Sequence, residues 1–219
     1  MDEKVQSPFC DTINIDIVFK WGVITLTKTL YLMRHGQTLF NQLHKIQGWS
    51  DSPLTQQGID DAKQVGQYFK DNGIKFDHAY SSTQERASDT LELITDQPYQ
   101  RLKGIKEWNF GVFEAESEML NPKHPGQPSY GDFFVQYQGE SSKTVQKRVN
   151  ATLTKVMQQA NDGENVLAVS HGGAIHMFLL KWMSAEERNR KVHLGNCAVV
   201  KLTFENNQFH FEKIINALE

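Results

Sequence analysis

Apolar positions follow two different periods along most of this chain. Residues 29–33 and 165–170 are short, largely apolar runs of strand length. Residues 55–70 and 142–160 instead place apolar side chains three and four positions apart, as one face of a helix does. Strands that alternate with helices are typical of a largely parallel sheet with helices on both faces. The pattern therefore predicts an α/β fold, a three-layer sandwich around a mainly parallel, mixed central sheet.

Weaker signals predict the shorter elements. The sequence Ser82-Thr83-Gln84-Glu85 has the form of a capping box, so we expect a helix to start there, to carry Arg86 in its first turn and to end near residue 95. The other expected elements are a strand at 76–80, a short strand around 99–103, a helix that follows Gly173 and reaches Trp182, and strands at about 196–204 and 208–215.

Residues 108–140 show no regular period. They combine aromatic residues with proline and glycine, which predicts a long excursion with little regular structure, and such excursions are usually functional or mobile. The aromatic side chains are expected either to form a small satellite core or to line a substrate site.

The first 28 residues differ from the rest of the chain. After a polar start, Ile13, Ile15, Ile17 and Phe19 alternate in a period of two, which predicts either an edge strand or an upstream extension. We therefore divide the chain into residues 1–28, an N-terminal extension or edge strand, and a single domain at 29–219. Charged residues interrupt the apolar stretch at 13–33, so neither a signal sequence nor a membrane-spanning helix is predicted.

Composition narrows the classes of function. The 219 residues include 23 basic and 26 acidic side chains, and the formal net charge of -3 gives no basic surplus. A protein with this balance is not expected to bind nucleic acid or an anionic membrane, so any anion site is local. The two cysteines, Cys10 and Cys197, form neither a disulfide framework nor a metal-ligand motif, which favours a reducing cytoplasm.

Ionisable residues follow three of the predicted strands. The three segments are Arg34-His35-Gly36, Ser81-Ser82 with Arg86, and His171-Gly172-Gly173. The carboxyl ends of parallel strands form the ligand crevice of open α/β sheets, so we expect these segments to converge. Two arginines, two histidines and glycine-lined turns would then form a site for a phosphate dianion.

Such a site predicts phosphoryl transfer to a histidine. If one imidazole nitrogen attacks phosphorus, nearby cations stabilise the charge of the transition state, and neither a metal nor a cofactor is needed. The leaving oxygen still requires a proton from a carboxylic acid. Glu107 is the leading candidate, and Glu114, Glu116 and Glu118 are its competitors. The sequence contains no metal-ligand spacing and no nucleotide-loop motif.

Taken in order, these segments resemble the histidine phosphatase superfamily, which includes the cofactor-dependent phosphoglycerate mutases. The resemblance spans roughly residues 29–204, and the ordered set is far more specific than Arg-His-Gly alone. The matching segments are Leu32-Met33-Arg34-His35-Gly36-Gln37-Thr38, Asn41, Gln47-Gly48, Asp51-Ser52-Pro53-Leu54-Thr55, Gly58, Ala62, Tyr80-Ser81-Ser82, Arg86-Ala87, Thr90, Glu107, Phe110-Gly111, Glu114, Gly139-Glu140-Ser141 and Val169-Ser170-His171-Gly172-Gly173.

The resemblance implies a role for each matching residue. His35 would be the nucleophile and Glu107 the proton donor. The residues that would hold the phosphate are Arg34, Arg86 and His171, and those that would border the substrate are Thr38, Asn41, Gln47, Gly48 and Gly172. A small phosphate ester would be the substrate, with no metal and no cofactor.

Two activities of the family are compatible with these residues. In a phosphomonoester hydrolase water attacks the phosphohistidine, whereas in a mutase, an isomerase, the phosphoryl group returns to another hydroxyl. Mutases of this family carry a longer insertion after the acid, with arginines that grip a carboxylate and a second phosphate. From Trp108 to Glu140 this chain has no arginine and one lysine, Lys123. This departure favours the hydrolase, and the complete set of site residues weighs against a non-catalytic, phosphate-binding member.

Overall fold

The computed structural model describes residues 27–123 and 126–218. The strands of this part of the chain form one sheet, and helices cover both of its faces. The strands are β1 (Lys28–Arg34), β2 (His78–Ser82), β3 (Gln100–Leu102), β4 (Asn165–Ser170), β5 (Val199–Glu205) and β6 (Gln208–Ile215). The helices are α1 (Leu39–Gln42), α2 (Gln56–Asp71), α3 (Glu85–Ile94), α4 (Ser142–Gln159), α5 (Gly172–Leu179) and α6 (Ala185–Lys191).

The strand order is β3-β2-β4-β1-β5-β6. The first four strands in this order run parallel, whereas β5 is antiparallel to β1 and β6 is antiparallel to β5. The predicted α/β fold with a mainly parallel, mixed sheet is therefore confirmed. Because β2, β4 and β1 are neighbours, their carboxyl ends open on the same edge of the sheet.

Strand β1 shows how the sheet is buried on both faces. Leu30 and Leu32 are fully buried in the cluster that includes α4 and α5. Tyr31 and Met33 lie on the opposite face and pack in the cluster with α2 and α3. Successive side chains of a strand point to opposite faces, so a continuously apolar strand requires cover on both sides. The three-layer arrangement follows from this requirement.

The start of α3 differs from the capping-box prediction. Ser82 is the fully buried last residue of β2, so the strand lies two residues later than predicted and the helix begins at Glu85. Gln84 is the N-cap and makes no side-chain capping bond. The carboxylate of Asp51 instead accepts a hydrogen bond from the backbone N–H of Glu85 at 2.6 Å. The prediction of a helix start at Ser82 is therefore wrong, because a residue distant in sequence supplies the cap. Arg86 still lies in the first turn.

The C-terminal part contains a helix, α6, that the hydrophobic pattern does not predict. Its N-cap Ser184 accepts a hydrogen bond from the backbone N–H of Glu187 at 3.1 Å. Acidic residues fill its first turn and basic residues its last, which suits the helix dipole. The Ser-x-x-Glu spacing could have identified this helix. The preceding helix, α5, ends at Leu179 rather than Trp182.

The excursion at 108–140 contains short 3-10 turns in its described part, at Gly111–Phe113, Glu118–Leu120 and Phe133–Tyr137. Trp108 and Phe134 are buried in the main core cluster on the α4 side, so the described part of the excursion extends that core instead of forming a separate satellite core. The alternating residues at 13–19 lie outside the described residues, and the edge strand stays a prediction. No helix within the described ranges is both long enough and apolar enough to cross a membrane.

Candidate active site

The carboxyl ends of β1, β2 and β4 bring the predicted residues together. The backbone N–H of His35 donates to the carbonyl of Ser170 at 3.0 Å, which continues the pairing of β1 with β4. The imidazole of His171, the next residue, is 5.2 Å from that of His35 between ring centroids. Arg86, which follows β2, donates from Nε to Nε2 of His35 at 3.3 Å. All three side chains are buried.

His35 is held as one tautomer. Its Nδ1 lies 2.8 Å from the carbonyl oxygen of Gly36, which can only accept a hydrogen bond, so Nδ1 carries the proton. Nε2 therefore keeps its lone pair. Burial, together with the positive charges of Arg86 and Arg34, lowers the pKa of His35 well below its usual value. The side chain is thus a neutral imidazole whose Nε2 lone pair accepts a hydrogen bond from Arg86, and attack on phosphorus requires this same lone pair.

Arg86 is fully buried and fixed by the loop at 48–51. Its Nη1 donates to the carbonyl of Ser50 at 2.9 Å and to the carboxylate of Asp51 at 2.8 Å. Its Nη2 donates to the carbonyl of Gly48 at 2.9 Å. A guanidinium has five N–H groups. Because the Nε–H donates to His35, one N–H of Nη2 is left for a ligand. Gly48 thus acts through its carbonyl, which orients the arginine.

Arg34 and His171 have buried nitrogen atoms without partners among the described residues. Nη1 of Arg34 donates to the carbonyl of Leu194 at 2.7 Å, but its Nε has no hydrogen-bond partner, and neither ring nitrogen of His171 has one. Burial, followed by the charge of Arg86, lowers the pKa of His171 well below its usual value. Buried polar atoms normally have partners. Three unpartnered nitrogens therefore indicate a place for a ligand with hydrogen-bonding oxygens.

The side chain of Glu107 lies against the N-terminus of α5, the helix that begins directly after His171. Its carboxylate accepts hydrogen bonds from the backbone N–H groups of Trp108 at 2.8 Å, Gly173 at 3.0 Å and Ala174 at 2.8 Å. A β-carbon at Gly173 would lie 2.7 Å from Oε1 of Glu107, so a larger residue there would displace the carboxylate. The acid and His171 are thus placed at the same helix end.

The predicted substrate-border residues Thr38, Asn41 and Gln47 share one hydrogen-bond network. Thr38 caps α1, and its hydroxyl donates to Oδ1 of Asn41 at 3.0 Å. Nε2 of Gln47 donates to the Thr38 hydroxyl as well. This network fixes the loop that follows His35. Gly172 opens α5, and a β-carbon there would lie 3.5 Å from Nε of Arg34, so its backbone borders the anion site.

The three carboxylates that competed with Glu107 as candidate proton donors do not share its place at the start of α5. Glu114 accepts hydrogen bonds from the backbone N–H groups of Trp49 at 2.7 Å and Ser50 at 2.6 Å, so it joins the 48–50 loop to the excursion. Glu116 and Glu118 are exposed. In the described ranges, no three His, Cys, Asp or Glu side chains gather as a metal site would require.

Two residues outside the predicted set also hold the site. Gln84 donates to the carbonyl of Gly48 at 2.7 Å and accepts from the backbone N–H of Glu107 at 2.8 Å. Asn196 donates to the carbonyl of His35 at 3.1 Å. Their partners include backbone groups from distant segments, which leave no signal in the sequence.

A cleft of about 420 Å³ opens beside Gly172 and Gly173. Its walls include Trp108, Phe110 and Tyr130, so aromatic residues of the excursion line a cleft as well as extending the main core. Apart from Gly172 and Gly173, the other lining residues in the described ranges are prolines, uncharged polar residues and a histidine whose pKa is lowered by burial. The cleft therefore suits an uncharged organic group.

Comparisons with known proteins agree on one family. The family model of the histidine phosphatase superfamily, branch 1, matches residues 30–217. A broad-specificity phosphatase of Saccharomyces cerevisiae is 30% identical over 202 residues, which cover 85% of this chain and 85% of that protein. A probable phosphoglycerate mutase of Yersinia pestis is 30% identical over 81% of this chain and 86% of that protein. A phosphoserine phosphatase mutant from Entamoeba histolytica, crystallised with phosphoserine, has a TM-score of 0.71 at 30% identity and covers 87% of this chain and 98% of its own.

Proposed function

Because the chain belongs to the histidine phosphatase superfamily, we propose that it is a phosphomonoester hydrolase that acts through a phosphohistidine on His35. Nε2 of His35 attacks phosphorus, so that a P–N bond forms while the ester P–O bond breaks and Glu107 gives a proton to the leaving oxygen. Water then attacks phosphorus and passes a proton to Glu107. The P–N bond breaks, and inorganic phosphate and neutral His35 are released.

The observation that carries this proposal is the buried, neutral His35 among unpartnered donors. His171 and Nε of Arg34 offer nitrogens that have no other partner in the described chain, and Arg86 offers a fixed positive charge 3.3 Å from the nucleophile. These groups can stabilise the negative charge of the transferring phosphoryl group, as a metal ion does in other phosphatases. We therefore propose a reaction that needs no metal.

The choice of water as acceptor is supported by the cleft and the excursion. A mutase substrate such as phosphoglycerate carries a carboxylate, which would need a cation next to the phosphate site. The described residues that line the cleft include no lysine or arginine, and the excursion contains no arginine and one lysine, Lys123. The similarity to a broad-specificity phosphatase and to a phosphoserine phosphatase also supports water as the acceptor. The cysteine content favours a cytoplasmic location.

The mutase is the second candidate, because a relative of equal identity is named a probable phosphoglycerate mutase. An assay of the purified protein separates the two. The panel comprises an aryl phosphate, phosphoserine and 3-phosphoglycerate, each with and without a chelator, and the last also with 2,3-bisphosphoglycerate. We expect phosphate release that chelation leaves unchanged and that exceeds isomerisation.

Isomerisation faster than phosphate release would identify a mutase instead. Loss of activity with chelator, restored by one divalent ion, would contradict the metal-independent reaction.

A further inference from the structure

Arg148 of α4 and Glu140 form an ion pair beside the segment that carries Glu107. Nε of Arg148 lies 2.8 Å from Oε1 of Glu140, and Nη2 lies 2.8 Å from Oε2. This is the bidentate geometry in which a guanidinium and a carboxylate bind most specifically. The two side chains are only 18% and 14% exposed. The pair therefore differs from a mobile surface ion pair.

The rest of the Arg148 guanidinium binds the backbone that leads to the acid. Nη1 donates to the carbonyls of Gly104 at 3.1 Å and Lys106 at 2.6 Å, and Nη2 donates to the carbonyl of Glu107 at 2.7 Å. With the two bonds to Glu140, all five N–H groups of Arg148 have an acceptor. The side chain of Arg148 thus binds three carbonyl groups in the segment from Gly104 to Glu107.

Glu140 holds the chain on the other side of the acid. Its Oε2 accepts the backbone N–H of Asn109 at 3.0 Å, and its carbonyl accepts the indole N–H of Trp108 at 2.7 Å. The helix that carries Arg148 also packs tightly here, because a β-carbon at Gly104 would lie 1.8 Å from the hydroxyl of Thr152. The ion pair therefore fixes the backbone both before and after Glu107.

We propose that Arg148 is a positioning residue for the proton donor and that Glu140 holds Arg148 in place. The inference rests on the proposed role of Glu107, since Arg148 acts on that residue through its carbonyl group. A catalytic group displaced by about 1 Å can lose about a hundredfold in rate. Arg148 itself bonds to none of the groups that hold His35 and Arg86. Loss of Arg148 therefore slows the transfer that needs a proton and spares the transfer that does not.

The test compares Arg148→Lys and Glu140→Gln with Glu107→Gln on two substrates. One substrate is 4-nitrophenyl phosphate, whose leaving group departs without a proton, and the other is an alkyl phosphate, whose leaving group needs one. The readout is kcat/KM, which reports steps up to formation of the phosphoenzyme and is not limited by its later hydrolysis. The alkyl-to-nitrophenyl ratio of kcat/KM should fall about tenfold or more in both Arg148→Lys and Glu140→Gln.

Two controls separate positioning from a general loss of structure. Val156→Ala removes buried methyl groups from the same helix away from the ion pair, and should lower Tm without changing the ratio. Adding Arg148→Lys to Glu107→Gln should lower the ratio no further, because coupled residues act non-additively.

An equal loss on both substrates in Arg148→Lys and Glu140→Gln, matching Val156→Ala, would overturn the inference and leave the proton donor intact. A ratio that falls as much in the Glu107→Gln background as in the wild type would overturn it too. If Glu107→Gln itself left the ratio unchanged, the proposed proton donor would fail, and the role of Arg148 would fail with it. Glu140→Gln is nearly isosteric and provides the same test if Arg148→Lys does not fold.

Discussion

His35 can attack phosphorus only as a neutral imidazole. An exposed histidine titrates near pH 6.5, whereas burial and two neighbouring arginines lower the pKa of His35. A lowered pKa means that the ring takes up its proton only in more acidic solution. In protein carrying isotopically labelled histidine, the NMR signal that His35→Asn removes should therefore titrate with a midpoint well below pH 6.5. A midpoint at or above 6.5 would contradict the described environment.

The assignment of Glu107 as proton donor predicts a dependence on the leaving group. Glu107→Gln should lower kcat/KM for alkyl phosphates by about 10² to 10⁴ and that for 4-nitrophenyl phosphate far less. Glu116→Gln is the matched control, because that carboxylate belongs to the same excursion and is exposed. Glu114 is unsuitable as a control, since it binds the 48–50 loop. Equal losses on the two substrates would move the acid role to another residue.

The convergence of His35 and His171 could be predicted from the sequence because both residues follow strands that share one edge of a parallel sheet. His35 and His171 come directly after β1 and β4, which pair in register up to their last residues. The supporting side chains could not be predicted in this way. Gln84 and Arg148 act on backbone carbonyls and N–H groups, which every residue carries, so nothing in the sequence marks these partners.

The N-terminus of α3 depends on Asp51, a residue of the loop between α1 and α2. One carboxylate oxygen pairs with Arg86 at 2.8 Å, and the other accepts the backbone N–H of Glu85 at 2.6 Å. A hydrogen bond to a charged group contributes about 1.5–3 kcal/mol. Asp51→Asn should therefore raise KM for phosphate esters by about tenfold and lower Tm. An unchanged KM would mean that Arg86 keeps its place without Asp51.

The bounds of long elements with a clear hydrophobic period could be predicted closely. The bounds of short elements depend on contacts with distant residues, which do not appear in the hydrophobic pattern. The strand at 165–170 was placed to the residue, and the predicted helix at 142–160 exceeds α4 by one residue. The helix start at α3 was misplaced because its cap comes from a distant loop. The helix α6 has no buried residue, so no hydrophobic period exists to predict it.

β1 is the first strand of the described chain and lies in the interior of the sheet. β1 bonds to β4 on one side and to β5 on the other, so its backbone is already paired on both edges. The first site residue is Arg34. Deletion of residues 1–25 should therefore leave a folded, active enzyme, measured by kcat/KM and by a Tm within a few degrees of the full chain. An insoluble or inactive product would show that the deleted residues cover part of the core.

The layered architecture followed from apolar strands alternating with amphipathic helices, because each strand then needs cover on two faces. The strand order could not be predicted from this hydrophobic pattern. The antiparallel placement of β5 beside β1 joins residues more than 160 positions apart, such as Met33 and Val199. No local pattern encodes that pairing.

The central claim is that the phosphoryl group passes through His35, and trapping the intermediate tests it most directly. Protein mixed with a ³²P-labelled phosphate ester and quenched in two portions, one in alkali and one in acid, should keep its label in alkali and lose it in acid, as a phosphoramidate on imidazole does. His35→Ala should carry no label and show no turnover. Label that survives acid but not base would indicate an acyl phosphate on a carboxylate such as Glu107. That result, or label retained by His35→Ala, would contradict the account.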